Sequence, residues 1–192
     1  MSKEIVFATA NPHKVAEVQQ LLGNAFEITT PHRLGYAGDI PETGATLQEN
    51  ALQKARFIYE KFGMPCFADD TGLEIDALGG APGVHSARYA GEDKNPAANL
   101  QLVLKNLHGA ARRTARFRCV IALIIDGAER LFEGVAEGEI LPEPHGAQGF
   151  GYDPVFRPAG CRRTFAEMSA EEKNSRSHRG KAVGLLVKFL QS

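Results

Sequence analysis

Residues 5–14, Ile5-Val6-Phe7-Ala8-Thr9-Ala10-Asn11-Pro12-His13-Lys14, pass from a short apolar run straight into a helix start. Four apolar residues ending abruptly at Thr9 read as a buried strand. Asn11 is a good N-cap, and Pro12 suits the first helical position, where a backbone N–H is not needed. Val15, Val18, Leu21 and Leu22 then recur at helical spacing until Gly23 stops the run. A strand that feeds a helix in this way is the first half of an α/β unit.

Working outward, Phe26 to Thr29 can form a second short strand, and residues 31–46, rich in Pro, Gly and Thr, form an extended loop. A long helix follows from about Leu47 to Phe62. Its apolar stripe is Leu47, Ala51, Ala55, Ile58 and Phe62, opposite Glu49, Gln53, Arg56 and Glu60. Pro65 to Ile75 is extended again, interrupted at Asp69-Asp70-Thr71-Gly72, and Gly79 to Gly83 reads as a turn. Asn95 to Leu107 has helical character. Phe117 to Ile125 and Leu131 to Ile140 flank Asp126-Gly127, a hairpin signal. Residues 142–162 are loop-rich. Ser169-Ala170-Glu171-Glu172 resembles a capping box, and a last helix follows with Ala182, Leu185, Leu186, Phe189 and Leu190 on its apolar face. A strand–helix unit together with a hairpin predicts an α/β fold with a mixed sheet.

The 192 residues, 43% hydrophobic and 23% charged, suffice for one domain, or one domain with two lobes around a cleft. A net charge of −1 provides no basic field for nucleic acid or an anionic membrane, so a small partner is expected. Cys66, Cys119 and Cys161 are widely spaced, which argues against a disulfide framework or structural zinc site and fits a reducing compartment. The amino-terminal apolar run is too short for a signal peptide, and no stretch approaches the roughly 20 apolar residues of a membrane span. The cytoplasm is the expected location.

Five groups of residues can carry chemistry. At Thr9 to Lys14, a strand-to-helix turn aims backbone N–H groups outward at the positive end of a helix dipole, with Lys14 adding charge. This suits a triphosphate, although an ordinary capped helix has the same look. Asp69 and Asp70 are adjacent carboxylates at the end of an apolar strand. Holding them together calls for a counter-cation, for which magnesium is the economical choice, and one of them could deprotonate a water. The bland alternative is an acidic turn. Lys54 falls at the edge of the long helix's apolar stripe beside Asn50, where it either snorkels or meets an anion, and Glu42 in the preceding loop is either a metal ligand or a loop residue. Gly149-Phe150-Gly151-Tyr152-Asp153-Pro154 sets two aromatics between glycines, as a flat ligand or a tight turn would require. Lys173, His178 and Arg179 lie near the last helix. A cation at that helix's N-terminus opposes its dipole, so His178 or Arg179 should face something outside the helix.

Taken together, the motifs become familiar. T-x-N-x-x-K at Thr9 to Lys14, P-E-T-G at Glu42, E-N-A-x-x-K-A at Glu49 to Ala55, A-D-D-[ST]-G at Ala68 to Gly72, G-G-x-P-G, S-A-R-Y, G-F-G-Y-D-P and S-H-R-G resemble the inosine/xanthosine triphosphate pyrophosphatase family. Eight motifs run in register over almost the whole chain, from Thr9 to Arg179. The resemblance implies a single catalytic domain, residues 1–192. Its fold would be two-lobed α/β with a long curved mixed β-sheet, flanking helices and an active site in the cleft between lobes. It also implies a homodimer that acts on a small nucleotide, with no nucleic acid or membrane partner. Thr9, Ala10, Asn11, Pro12, His13, Lys14 and Lys54 would hold the triphosphate. Glu42 and Asp70 would bind Mg2+, with Asp70 as proton acceptor and Asp69 supporting it. Thr71 would contact substrate, and Phe150, Gly151, Tyr152, Asp153, Lys173, His178 and Arg179 would recognise the nucleoside and base. The implied reaction is magnesium-assisted attack of water on the α-phosphorus of dITP, ITP or XTP, releasing pyrophosphate. His145 departs from the arginine that many relatives carry before G-F-G-Y-D, so a contact from that position is not expected.

A Maf-like nucleotide pyrophosphatase is the nearest rival, and the G-F-G-Y-D-P and S-H-R pair favours the purine enzyme over it. A non-catalytic nucleotide- or RNA-binding module is the rival from another class. The charge balance and the Asp69-Asp70 pair count against RNA, because carboxylates repel phosphate unless a metal intervenes.

Overall fold

The computed structural model describes residues 3–24 and 26–192.

Strand β1 (Lys3–Phe7) pairs in parallel with β2 (Phe26–Thr29), Ile5 opposite Ile28, and with β3 (Cys66–Ile75), Phe7 opposite Phe67. The short β4 (Pro82–Gly83) lies antiparallel on β3. Strands β5 (Thr114–Ile125), β6 (Ala128–Ile140) and β7 (Phe156–Pro158) complete a seven-stranded sheet in the order β2-β1-β3-β5-β6-β7. Parallel and antiparallel pairs coexist, as the strand–helix unit and the hairpin together require. Asp126 and Gly127 both have positive φ, 51° and 76°, which is what a two-residue turn between right-twisted strands demands.

Two expectations fail here. The Asp69-Asp70-Thr71-Gly72 segment does not interrupt the strand, because β3 runs unbroken through it. Within the expected loop 142–162, β7 adds a three-residue strand against β6, too short to leave a periodic signal in sequence.

The chain divides into two compact units. The first comprises Met1–Asp70, Cys119–Gly134 and Arg179–Ser192; the second comprises Thr71–Arg118 and Val135–His178. In the first unit, helix α1 (Pro12–Leu22) starts as read: the Asn11 side chain accepts from the His13 and Lys14 amides, and Gly23 closes the helix at φ 60°. Helix α2 (Leu47–Phe62) opens on a reciprocal capping box between Thr46 and Glu49 and ends at left-handed Gly63. Strand alternation gives the sheet two covered faces. Ile5, Phe7, Phe67, Cys119, Ile121 and Leu123 form one core with Val18 and Leu22 of α1 and with Ala182, Val183 and Leu186 of helix α5 (His178–Gln191). The alternate residues Val6, Ala8, Cys66 and Ala68 are also buried, and Cys66 Sγ lies 3.3 Å from the Ala55 carbonyl of α2. Leu185, expected on the apolar face of α5, is instead 47% exposed; Val183 takes its place in the core.

In the second unit, Leu73, Ile75, Phe117, Ala136, Ile140, Val155, Phe156 and Phe165 pack with Leu100, Val103 and Leu107 around helix α3 (Pro96–Asn106). Helix α4 (Ala170–Arg176) is capped by Ser169, whose hydroxyl accepts from the Glu172 amide. Cys66, Cys119 and Cys161 form no disulfide, and burial pushes the Cys66 thiol up to about 12. Among the described residues no helix is long and apolar enough to cross a membrane.

Candidate active site

Period-two alternation along β3 decides what the adjacent carboxylates do. Asp69 follows the parity of Phe67 and points to the face covered by α1 and α5. There Lys14 Nζ donates to its Oδ1 at 2.9 Å, and the Arg179 guanidinium approaches Oδ2 at 3.4 Å through both Nε and Nη2. Asp70 follows Ala68 to the α2 face, where Lys54 Nζ stands 3.7 Å from its Oδ1. The two carboxylates are therefore not a pair in need of one shared cation. Each faces its own cations across the strand, which is why this acidic segment is a strand and not a turn.

Their electrostatics diverge accordingly. Burial alone would raise the Asp69 pKa, but Lys14, Arg179 and Lys54 outweigh it and hold the carboxyl well below the usual range. Asp70 is also buried, and here desolvation wins. With Lys54 opposing and Glu42 reinforcing, its pKa is pushed up to about 6. Asp69 is thus a fixed anion, while Asp70 sits in the range of a general base near neutral pH.

Lys54 does not snorkel. Its ammonium is buried and donates to Glu42 Oε1 at 2.5 Å and to the Asp69 carbonyl at 2.6 Å. Burial would lower its pKa, but Asp70, Glu42 and Asp69 together raise it, so it stays charged. Glu42 is thereby fixed beside Asp70 rather than left as an ordinary loop residue.

The turn at Thr9 to Lys14 differs from an open cradle. The Asn11 amide donates to Thr9 Oγ1 at 3.1 Å, and the His13 and Lys14 amides donate to Asn11 Oδ1 at 2.9 and 3.4 Å. A helix start exposes N–H groups that take the nearest acceptor, and here the cap supplies it. Ala10, Pro12 and His13 are exposed. Arg179, only 2% exposed, extends Nη1 to Glu17 Oε2 at 2.5 Å as well as meeting Asp69. What it faces outside its helix is a pair of carboxylates. Glu17 was missed in the sequence; its signal was its position three residues after Lys14, on the same side of α1.

The second unit holds the other expected residues. Lys173 Nζ donates to Asp153 Oδ2 at 2.7 Å, both side chains being buried, and lies 4.7 Å from the centre of the Phe150 ring. Asp153 Oδ2 also accepts from the Phe150 amide at 3.0 Å. Gly149 is obligatory in this turn: its φ is +72°, and a Cβ there would come within 2.1 Å of Asp153 Oδ2. Tyr152 Oη donates to the Ser86 carbonyl at 2.7 Å, and Ser86 Oγ donates to Gly83 O at 2.6 Å, so G-G-x-P-G and S-A-R-Y brace the aromatic loop. His178 is buried and stacks on Phe117, centroids 4.6 Å apart and planes 13° from parallel. Thr71 is half-buried on β3, adjoining Asp70 in sequence. The His145 side chain is exposed; its backbone amide donates to the Pro154 carbonyl, and its own carbonyl accepts from Thr164 Oγ1.

With this geometry in place, the comparisons are informative. The model of the Ham1 family matches residues 5–189. A dITP/XTP pyrophosphatase from Porphyromonas gingivalis is 52% identical over 98% of this chain and 97% of its own. Two solved structures, a HAM1 protein from Coxiella burnetii (45% identical) and the Ham1 protein of Staphylococcus aureus (38% identical), each superpose with a TM-score of 0.89. In both cases 98% of each chain is covered. The eight ordered motifs, the mixed α/β sheet and near-complete coverage by these relatives agree, and the chain belongs to the Ham1 family.

Proposed function

We propose that this protein hydrolyses the non-standard purine nucleoside triphosphates dITP, ITP and XTP to the monophosphate and pyrophosphate, keeping them out of DNA and RNA. The observation that carries the proposal is the arrangement on one face of β3: the buried carboxylate of Asp70, 3.7 Å from the buried ammonium of Lys54, which in turn binds the carboxylate of Glu42. It stands in a chain 52% identical to a dITP/XTP pyrophosphatase.

In this reading Asp70 takes a proton from water. The water oxygen bonds to the α-phosphorus, and the bond to the bridging oxygen breaks as pyrophosphate leaves. Lys54 and Lys14 offset the charge that develops on the phosphates, and Asp69 keeps Lys14 and Arg179 in place. Thr9, Ala10, Asn11, Pro12 and His13 would hold the phosphate chain, exchanging their internal cap bonds for phosphate oxygens, and Thr71 would contact substrate. Glu42 and Asp70 suit Mg2+, since both bring hard oxygen donors to the same ammonium. Among the described residues no group of three or more His, Cys, Asp or Glu is gathered to hold a metal. Two carboxylates are what magnesium commonly takes alongside substrate phosphates. Bound there, the ion would add counter-charge to the phosphates.

Phe150, Gly151, Tyr152, Asp153, Lys173, His178 and Arg179 are the proposed recognition set for nucleoside and base. A 6-oxo purine would accept hydrogen bonds that the amino group of adenine cannot, leaving site donors unpaired with ATP. His178→Ala should therefore erode the preference for ITP over ATP at least tenfold. An unchanged preference would remove His178 from base recognition. The protein is further proposed to act as one catalytic domain and as a cytoplasmic homodimer, for which light scattering should give twice the 20.8 kDa of the chain.

The test of the whole reading is pyrophosphate release from dITP, XTP, dTTP and ATP, with magnesium and then with EDTA. Release from dITP and XTP, lost with EDTA and slight with ATP, supports it. Preference for dTTP, or no release at all, overturns it.

A further inference from the structure

Four consecutive backbone amides just beyond Glu42 are taken by side chains from the first two turns of α2. The Thr43 N–H donates to Gln53 Oε1 at 2.8 Å, and Gln53 Nε2 donates back to Thr43 Oγ1 at 2.9 Å. The Gly44 N–H donates to Asn50 Oδ1 at 2.7 Å. The Ala45 and Thr46 amides both donate to Glu49 Oε2, at 2.7 and 3.3 Å. The bond to Thr46 belongs to the capping box, whereas the bonds to Thr43 and Gly44 lie outside the helix and are not needed to start it. The loop's backbone is pressed against α2 here: a Cβ on Gly44 would come within 2.6 Å of Glu49 Cβ and 2.9 Å of Asn50 Oδ1. Farther back in the same loop, Tyr36 packs against Phe57 at 5.6 Å, with the Lys61 ammonium 4.6 Å from its ring centre.

Asn50, whose Oδ1 receives the Gly44 amide, is only 1% exposed, so the loop is anchored to a side chain held inside the protein rather than to one on its surface.

We propose that Asn50 and Gln53 are positioning residues that clamp the Glu42 loop so that Glu42 and Asp70 hold a divalent cation together. Gln53 fixes the residue next to Glu42 by two bonds, and Asn50 fixes the residue after that by a third. Without the clamp, binding the cation would carry the cost of ordering a Pro- and Gly-rich loop. The inference rests on reading Glu42 and Asp70 as the metal pair.

The experiment is calorimetric titration of Mn2+ into the nucleotide-free protein and its Asn50→Ala, Gln53→Ala and Glu42→Gln variants, with amide hydrogen exchange across residues 41–46. Both clamp variants should bind Mn2+ about threefold to tenfold more weakly and exchange the Thr43 and Gly44 amides faster, as the loss of one or two hydrogen bonds implies. The metal concentration needed for half-maximal turnover should rise by a similar factor, with a smaller change in kcat at saturating metal. A merely structural role would lower thermal stability and leave the metal requirement alone. Gln53→Ala, which removes only exposed bonds, keeps the test available if Asn50→Ala does not fold. Unchanged Mn2+ affinity in the clamp variants beside a loss in Glu42→Gln overturns the inference and leaves the metal reading standing. Unchanged affinity in Glu42→Gln overturns the metal reading and the inference with it.

Discussion

Asp70→Asn should abolish turnover and at the same time stabilise the metal-free protein at neutral and alkaline pH. Loss of the proton acceptor alone lowers the rate by about 10²–10⁴-fold, and loss of a proposed metal ligand adds to that. The stability effect follows from burial. The Asp70 pKa of about 6 in the folded protein lies above the ordinary carboxylate value of 3.8, so the native state binds the proton more tightly than the unfolded chain. That advantage is complete below the unfolded pKa and is lost as pH rises through about 6. Above that pH the wild type carries a buried, poorly solvated anion. The difference corresponds to about 3 kcal/mol at most, and the asparagine variant escapes it. Urea unfolding in EDTA at pH 5 and pH 8 reads this directly: the variant's advantage should be larger at pH 8. An advantage that does not grow with pH would show that Asp70 is not the strained anion described here, and near-normal turnover would remove it from its catalytic role.

Arg179→Ala should produce the largest loss of stability. The guanidinium lies between Asp69 and Glu17, almost wholly buried, and its own pKa is raised: burial alone would lower it, but the two carboxylates outweigh that. Removing it takes a buried cation away from Asp69, which keeps Lys14, and takes from Glu17 the guanidinium it meets at 2.5 Å. Breaking a buried ion network from one side costs about 3–5 kcal/mol. For a chain of this size that is a fall in Tm on the order of 10 °C. Arg179→Lys should recover only part of it, because a single ammonium cannot present separate edges to two carboxylates. Thermal denaturation of the three proteins checks this. A fall of only a degree or two for Arg179→Ala would mean that water already neutralises the site.

Much of the fold was readable because its signals are local. Helix α2 was placed from about Leu47 to Phe62 by its apolar spacing, and the structure has the same limits. Asn11-Pro12, Gly23 and Asp126-Gly127 likewise placed a helix start, a helix end and a hairpin turn. The failures share a cause. Asp69-Asp70-Thr71-Gly72 has the composition of a turn, and nothing within several residues says otherwise. Leu185 looked equivalent to Leu186 on a helical wheel, yet which edge of the stripe meets the sheet depends on how the whole helix is seated. The candidate residues were named from motifs, but their partners were not: Glu17 for Arg179 and the Asp69 carbonyl for Lys54.

The sequence by itself determined the class of the fold, the ends of its principal helices, its hairpin and the family to which the chain belongs, since caps, turns and periodicity act between near neighbours. It takes the packed fold to hold Asp69 as an anion and to raise the pKa of its neighbour Asp70. Both sit on one apolar strand and differ by one position, so composition cannot separate them. The strand's alternation turns Asp69 toward α1 and α5, which bring cations from 55 residues upstream and 110 residues downstream, and turns Asp70 toward Lys54 and Glu42 on the opposite face. The charge each carboxylate meets is set by which distant elements the sheet order makes its neighbours, and no local rule encodes that.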